Sequence, residues 1–143
     1  MKKFKKSLIL FIIHYSLIII IGCGTTTNKQ ICPECHMPLP KNSKINTAYL
    51  NKTYFDDIGC MILWTKKHNS NVADAKVFAK DSQKYIKAIN AHYTINERTP
   101  MGYGFTAYEK FQKGSINFKE MRLRMLRGET MQNPKIRKQI LGE

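Results

Sequence analysis

Short stretches of alternating or helically spaced apolar residues run through the middle of the chain. Residues 47–50 and 53–55 are rich in residues that favour strands, and they flank Asn51 and Lys52 as a two-residue turn, which predicts a β-hairpin. Residues 58–67 place apolar side chains at helical spacing, directly after two aspartates that can cap a helix. A hairpin followed by a helix is therefore predicted for this part of the chain.

The second part of the chain contains further short apolar runs bounded by turn residues. They predict strands over residues 75–79, 85–89, 92–95 and 115–118, and a helix over residues 106–113 that ends at Gly114. The order strand, strand, helix, strand thus occurs twice. We predict an α+β fold in which two small ββαβ units form one compact domain, preceded by a signal peptide and a flexible tether.

The chain ends in a basic segment with helical periodicity. From Phe118, apolar residues recur at i, i+3, i+7 and i+8, lysines and arginines lie between them, and Gly128 stops the pattern. We expect an amphipathic helix whose apolar stripe packs on the domain; the alternative is that the stripe lies on a membrane or a partner. Residues 119–143 form a basic amphipathic C-terminal extension, and its polar tail after the helix is expected to be mobile.

The N-terminus has the features of a secretory signal. Residues 1–22 begin with four lysines, continue as a short aliphatic run and end in a glycine directly before Cys23, a pattern typical of lipoprotein signal peptides. We predict lipidation of Cys23, a tether over residues 23–31, and a protein that is lipid-anchored in the cell envelope and faces the periplasm. Whether it sits in the inner or the outer membrane stays open, and an uncleaved N-terminal anchor is the alternative.

The charge of the chain narrows the classes of partner. Loss of the four lysines of the signal peptide would lower the formal charge from +14 to +10. A strongly basic cytosolic domain would suggest nucleic acid, but the export signal argues against nucleic acid as a partner. Anionic lipid head groups or an acidic partner protein fit the charge better, and a plainly solvated basic surface fits it equally well.

A concentration of metal-binding side chains follows the tether. Residues 32–37 contain two thiols, an imidazole and a thioether, and the surrounding prolines keep the segment out of a helix. Cys32-x-x-Cys35-His36 matches the attachment motif of c-type haem, which would make the protein an electron carrier. The same thiols could form a redox pair or, together with His36 and Cys60, a zinc site. Helical placement, which is usual for haem and redox motifs, is opposed by the prolines.

Copper(I) accounts for more of these residues than the other ligands do. It is a soft ion that favours thiolate and thioether sulfur, whereas a zinc site leaves Met37 unexplained. Cys35 and Met37 would share one side of an extended segment, and Met101 lies in a loop between a proline and a glycine, where packing gives it little purpose. Cys60 lies on the predicted helix, where a cysteine is more often a small buried residue than a ligand.

Three motifs together resemble the nitrous oxide reductase accessory lipoprotein family, the NosL-type copper chaperones. They are Phe-Asp-Asp-Ile-Gly-Cys-Met at residues 55–61, Pro-Met-Gly-Tyr-Gly-Phe-Thr-Ala-Tyr at residues 100–108, and the Cys-x-x-Cys-x-Met segment after the lipidation signal. The resemblance covers about residues 20–118 and implies that residues 32–118 form a copper-binding domain. It also implies two ββαβ units and a fold similar to part of organomercurial lyase.

The resemblance further implies a lipid-anchored copper(I) chaperone, without enzymatic activity, that supplies copper for maturation of nitrous oxide reductase together with an ABC-type membrane complex. Mapped onto this chain, the copper ligands would be Cys35 and Met37, with Met101 as the third and His36 or Cys32 as a possible fourth. Members of this family usually have a small residue where this chain has His36, which is either an added imidazole ligand or a solvent-facing substitution. The basic C-terminal extension is longer than the family pattern.

Overall fold

The computed structural model describes residues 30–143. The predicted signal peptide over residues 1–22, the lipidation of Cys23 and all but the last two residues of the predicted tether lie outside the described residues. Within residues 30–143, no helix combines the length and the apolar character needed to cross a bilayer.

A tight hairpin opens the sheet. Strands β1 (Ala48–Leu50) and β2 (Thr53–Phe55) pair in antiparallel fashion, with Leu50 opposite Thr53. The two turn residues, Asn51 and Lys52, have φ angles of 49° and 64°, and positive φ at both positions is what a type I′ hairpin turn requires. This hairpin confirms the prediction made from residues 47–55.

Helix α1 (Ile58–Lys67) follows the hairpin and confirms the second prediction. It begins at Asp57, whose Oδ1 accepts a 2.8 Å hydrogen bond from the Gly59 N–H and so caps the first turn. It ends at His68, and the two lysines of its last turn lie at the negative end of the helix dipole. Its apolar face is fully buried against the hairpin and against the second helix.

The remaining strands build a six-stranded sheet around β3. They are β3 (Lys76–Ala79), β4 (Lys84–Lys87), β5 (His92–Thr94) and β6 (Thr106–Tyr108). The strand order is β2-β1-β3-β6-β5, and β4 pairs separately with β3. All pairs are antiparallel except β3 with β6, which are parallel at Ala79 and Ala107. The α+β class and the single compact domain are thereby confirmed.

The element order in the second half differs from the prediction. Residues 106–113, predicted as a helix, contain strand β6 and a turn, because Ala107 is fully buried between partners on β3 and β5. Pairing with two neighbouring strands overrides the local helix preference of this short segment. The strand predicted over residues 115–118 is reduced to one bridge, in which Ile116 and Tyr93 exchange backbone hydrogen bonds of 2.8 Å. The helix of this half therefore follows its strands.

That helix is α2 (Phe118–Arg127), and it confirms the amphipathic prediction. Asn117 caps it by accepting a 2.9 Å hydrogen bond from the Glu120 N–H, and Gly128 ends it at φ 71°. The apolar stripe packs on the domain: Phe118, Met121 and Met125 are buried. Within the described chain, this stripe is accordingly part of the core.

A further short helix, α3 (Pro134–Leu141), occupies the tail that was predicted to be mobile. Its ends carry strong local signals, since the Asn133 side chain accepts from the Lys135 N–H and Gly142 closes the last turn at φ 72°. No residue of α3 is buried. Local capping rather than core packing thus accounts for this helix.

Candidate metal centre

The segment that contains the first two cysteines folds back on itself as a small closed turn. The Cys32 N–H donates to the Met37 carbonyl, the His36 N–H to the Cys32 carbonyl, and the Leu39 N–H to the Gln30 carbonyl, each at 2.9 Å. His36 adopts a left-handed φ of 61°, a conformation that glycine adopts without strain. The predicted loop is confirmed, but it is a turn and not the extended segment from which a shared face of Cys35 and Met37 was inferred.

Two more side chains reach the cysteines from the junction between β2 and α1. Because Asp57 caps the helix, the adjacent Asp56 has no part in the cap and its carboxylate faces the turn, where the Cys35 Sγ donates a 3.1 Å hydrogen bond to Asp56 Oδ1. Cys60 lies in the first turn of α1 and is fully buried. Helix and turn therefore converge on one point.

The four side chains form a compact donor set. The Sγ atoms of Cys32, Cys35 and Cys60 and a carboxylate oxygen of Asp56 all lie within 4.8 Å of one another. None of the three thiols is in a disulfide, and Asp56 Oδ2 is buried without a hydrogen-bond partner in the described part of the chain. A buried oxygen without a donor is costly unless something compensates it. This cluster can bind a metal ion.

The three thiols of the cluster differ in pKa because their surroundings differ. The Cys60 thiol lies beside Cys32 as a hydrogen-bond donor, and this lowers the Cys32 pKa from 9.0 to about 6. Burial raises the pKa of Cys35 to about 12, while the hydrogen bond to Cys32, followed by burial, raises the pKa of Cys60 strongly. Metals bind thiolates, so metal binding here would release protons. Cys32 is the thiol that is most easily ionised.

A second aspartate connects this cluster to a distant loop. Asp57 is fully buried, and in addition to its cap it accepts a 3.1 Å hydrogen bond at Oδ2 from the backbone N–H of Met101. Burial raises the Asp57 pKa from 3.8 to about 6, against the hydrogen bonds, which favour the charged form. Through this contact the helix that contains Cys60 holds the loop that contains Met101.

Of the predicted ligands, the structure brings Cys32 and Cys35 together and leaves His36 outside the cluster. His36 is exposed and Met37 is 52 % exposed, while Met101 is partly buried against the core. The roles of Met37 and Met101 stay predictions. For the haem motif, the geometry is unfavourable because Cys32 is fully buried, whereas haem attachment needs both thiols to meet a large flat ligand.

One member of the cluster, Asp56, is not predicted as a ligand from the sequence, and a second, Cys60, is predicted as one only in the zinc alternative. The sequence indicates Asp56 only as a possible helix cap, and a cysteine at position 60 of the predicted helix is more often a small buried residue than a ligand. The available signal is their position: once Asp57 takes the cap, Asp56 directly precedes the helix and Cys60 lies in its first turn. An aspartate that does not cap the helix, followed by a cysteine in the first turn, indicates a metal site better than either residue alone.

These features describe a small α+β domain with a three-cysteine, one-aspartate site that can bind a metal ion. Comparison with protein-family models, with curated proteins and with solved structures found no match to this chain.

Proposed function

We propose that this protein is a copper(I) carrier that binds one ion at the cluster and transfers it to a partner without performing chemistry of its own. The observation that carries the proposal is the gathering of three sulfur atoms within 4.8 Å of one another. Copper(I) prefers thiolate sulfur and low coordination numbers, so three thiolates make a sufficient site. Met37 and Met101 are the proposed thioether ligands that would adjust its affinity.

The difference in exposure among the cysteines supports a carrier over a permanent site. Cys32 and Cys60 are fully buried, whereas Cys35 is partly exposed at the surface of the turn. An acceptor ligand can therefore approach the metal from the side of Cys35 and replace it first. Sites that hold a metal permanently are usually closed on all sides.

The partner and the location of the carrier are proposed from the sequence resemblance alone. The three NosL-type motifs support nitrous oxide reductase and its ABC-type maturation complex as the recipients of copper. The lipoprotein signal supports an anchor at Cys23 that holds the domain on the periplasmic face of a membrane. Transfer of labelled copper(I) to metal-free nitrous oxide reductase, but not to an unrelated copper enzyme, is the expected result.

Zinc(II) is the second candidate, because the cluster includes an oxygen donor. Asp56 supplies a carboxylate beside three thiols, and four donors of this kind match the tetrahedral preference of structural zinc. In that case the protein would hold its metal to stabilise the fold. The two metals make opposite demands on Asp56 and Met37, which allows a direct test.

The test measures copper(I) and zinc(II) affinities anaerobically, by competition with a chromophoric chelator for each metal. For a copper(I) carrier, Asp56→Asn changes copper(I) affinity by less than about threefold and weakens zinc(II) affinity by at least tenfold, ~1.4 kcal/mol. Asp74→Asn is the control, since Asp74 is exposed and outside the cluster. Tighter binding of zinc(II) than of copper(I) by the parent protein, together with loss of zinc(II) binding on Asp56→Asn, would favour the structural zinc site.

Met37 provides an independent arm of the test. Met37→Ala is expected to weaken copper(I) binding and to leave zinc(II) binding nearly unchanged, because thioether sulfur is a poor zinc ligand. Ile31→Ala is the matched control, since Ile31 is 57 % exposed on the same turn and has no donor atom. Equal losses for both metals, or equal losses in both variants, would remove Met37 from the site.

A further inference from the structure

We infer that Cys32 and Cys35 form a reversible disulfide by exchange with low-molecular-mass disulfides, and that Cys35 is the residue that meets the oxidant. The inference rests on three unpaired thiols whose sulfur atoms lie within 4.8 Å of one another. Only one of these thiols has access to solvent. It concerns the metal-free protein and does not depend on which metal the cluster binds.

The backbone of the turn brings the two cysteines to a distance that a disulfide can span. The hydrogen bond from the His36 N–H to the Cys32 carbonyl closes a turn that contains both residues. In turns of this size the Cα atoms of residues i and i+3 lie within about 7 Å, and disulfides bridge Cα separations of about 4.4 to 6.8 Å. The sulfur atoms need to approach by at most about 3 Å to reach bonding distance, which side-chain rotation within one turn can supply.

Exposure assigns the order of the two exchange steps. The Cys35 thiol gives its proton to the Asp56 carboxylate, to which its Sγ already donates a 3.1 Å hydrogen bond, and attacks one sulfur of the external disulfide. This forms a mixed disulfide and releases the first thiol of the oxidant. The Cys32 thiolate then attacks the Cys35 sulfur, which forms the internal disulfide and releases the second thiol. Two cysteine thiols are thus oxidised, one external disulfide is reduced, and two protons pass to the leaving thiols.

The third cysteine stays reduced in this scheme. Cys60 is fixed in helix α1 and is fully buried, so an external disulfide does not reach it. A bond from Cys60 to Cys35 would join the helix to the turn, whereas the bond from Cys32 to Cys35 lies within the turn. Cys32 is suited to resolve the mixed disulfide because it shares the turn with Cys35 and its sulfur lies within 4.8 Å of the Cys35 sulfur.

Oxidation of this pair would remove two of the three sulfur donors from the cluster. A soft metal ion then meets one buried thiol and a carboxylate, which is a poor set for copper(I). Reduction by an external dithiol restores all three donors by the reverse exchange. Metal binding in turn keeps both thiols occupied and protects them from the oxidant.

The experiment uses the full chain with Cys23→Ser, which leaves three cysteines, purified in detergent in reduced and metal-free form. The protein is exposed anaerobically to oxidised glutathione, quenched in acid, alkylated, and mapped by peptide mass spectrometry. The expected product has lost two hydrogen atoms, contains a disulfide between Cys32 and Cys35, and carries the alkyl group at Cys60. Retention of three alkylated cysteines, or a bond that includes Cys60, would overturn the inference.

Three variants separate the steps. Cys35→Ala should slow the reaction with oxidised glutathione at least about tenfold, because the remaining thiols are buried. Cys32→Ala should accumulate the mixed disulfide of Cys35 with one glutathione, and Cys60→Ala should still form the internal bond. Far-ultraviolet circular dichroism verifies that each variant is folded. An unchanged rate in Cys35→Ala would refute its role, whereas failure of the metal titrations with the disulfide intact would refute only the proposed function.

Discussion

The buried carboxylate of Asp57 should make the stability of this protein fall as the pH rises from about 4 to about 6. Burial raises its pKa from 3.8 to about 6 in the folded protein. Between these two values the native state binds more protons than the unfolded chain, so the free energy of unfolding decreases as the pH rises. The contribution of Asp57 is fully present below the lower value and is lost as the pH passes the upper one.

The size of the effect follows from the pKa shift. A difference of about two pKa units corresponds to about 3 kcal/mol, at ~1.4 kcal/mol per unit. Asp57→Asn cannot ionise, and its side-chain oxygen can still accept from the Gly59 N–H. Its amide group faces the Met101 N–H, however, and one hydrogen bond is lost at every pH. Because pH 4 lies just above the lower pKa, most but not all of this contribution is present there, and the cost of the substitution should be about 2 kcal/mol greater at pH 4 than at pH 7.

Urea unfolding of the reduced, metal-free protein at pH 4, 5, 6 and 7 measures this difference. The single tryptophan, Trp64, reports the transition because it contacts Phe55 in the core, with ring centroids 5.7 Å apart. Other titrating groups are the same in both proteins, so subtraction isolates Asp57. Asp74→Asn, at an exposed residue, is the matched control for the replacement of one aspartate by asparagine. Parallel stability curves for the parent and Asp57→Asn would show that its two backbone hydrogen bonds, and not burial, set the pKa.

Two packing predictions concern stability alone. Gly59→Ala should lower the free energy of unfolding in urea by about 1 to 3 kcal/mol, although alanine is the better helix former. Its Cβ would clash with the Tyr103 ring and lie 2.9 Å from the Met125 Sδ. Equal or greater stability would mean that the ring moves freely. Tyr93→Phe should lower the free energy of unfolding by about 1 kcal/mol, since it removes a buried 2.7 Å hydrogen bond from the hydroxyl to the Ala88 carbonyl. An unchanged melting temperature would contradict this prediction.

Elements with their own start and stop signals could be predicted from the sequence. The hairpin turn, the capped helix α1 and the stripe of α2 are each specified by neighbouring residues, and all three formed where the pattern placed them. The same local signals are present at α3, in Asn133, Pro134 and Gly142, and the helix formed there. The prediction of a mobile tail was wrong because it relied on the polar composition and not on these signals. The helix predicted over residues 106–113 failed for the opposite reason, because strand β6 depends on partners elsewhere in the sheet.

Only the part of the candidate site that lies within one segment of the chain could be predicted from the sequence. Cys32 and Cys35 share a turn, and their chemistry is evident from their spacing. Asp56 and Cys60 approach them only after the hairpin and α1 have formed, and no local pattern records that approach. Conversely, His36 and Met37 directly follow Cys35 in sequence but lie toward solvent and outside the cluster, since the left-handed residue at position 36 turns the chain.

The three backbone hydrogen bonds that close the N-terminal turn all lie within residues 30–39, and this turn is not a strand of the six-stranded sheet. Such a unit can undock by local opening while the rest of the domain stays folded, and native-state hydrogen exchange would detect it as an early-exchanging region. A metal ion held jointly by the turn and by Cys60 adds its binding free energy to that opening, about 2.7 kcal/mol at a hundredfold excess over Kd. The occupied site would then fasten the turn to helix α1, and release of the ion would let the turn open by itself.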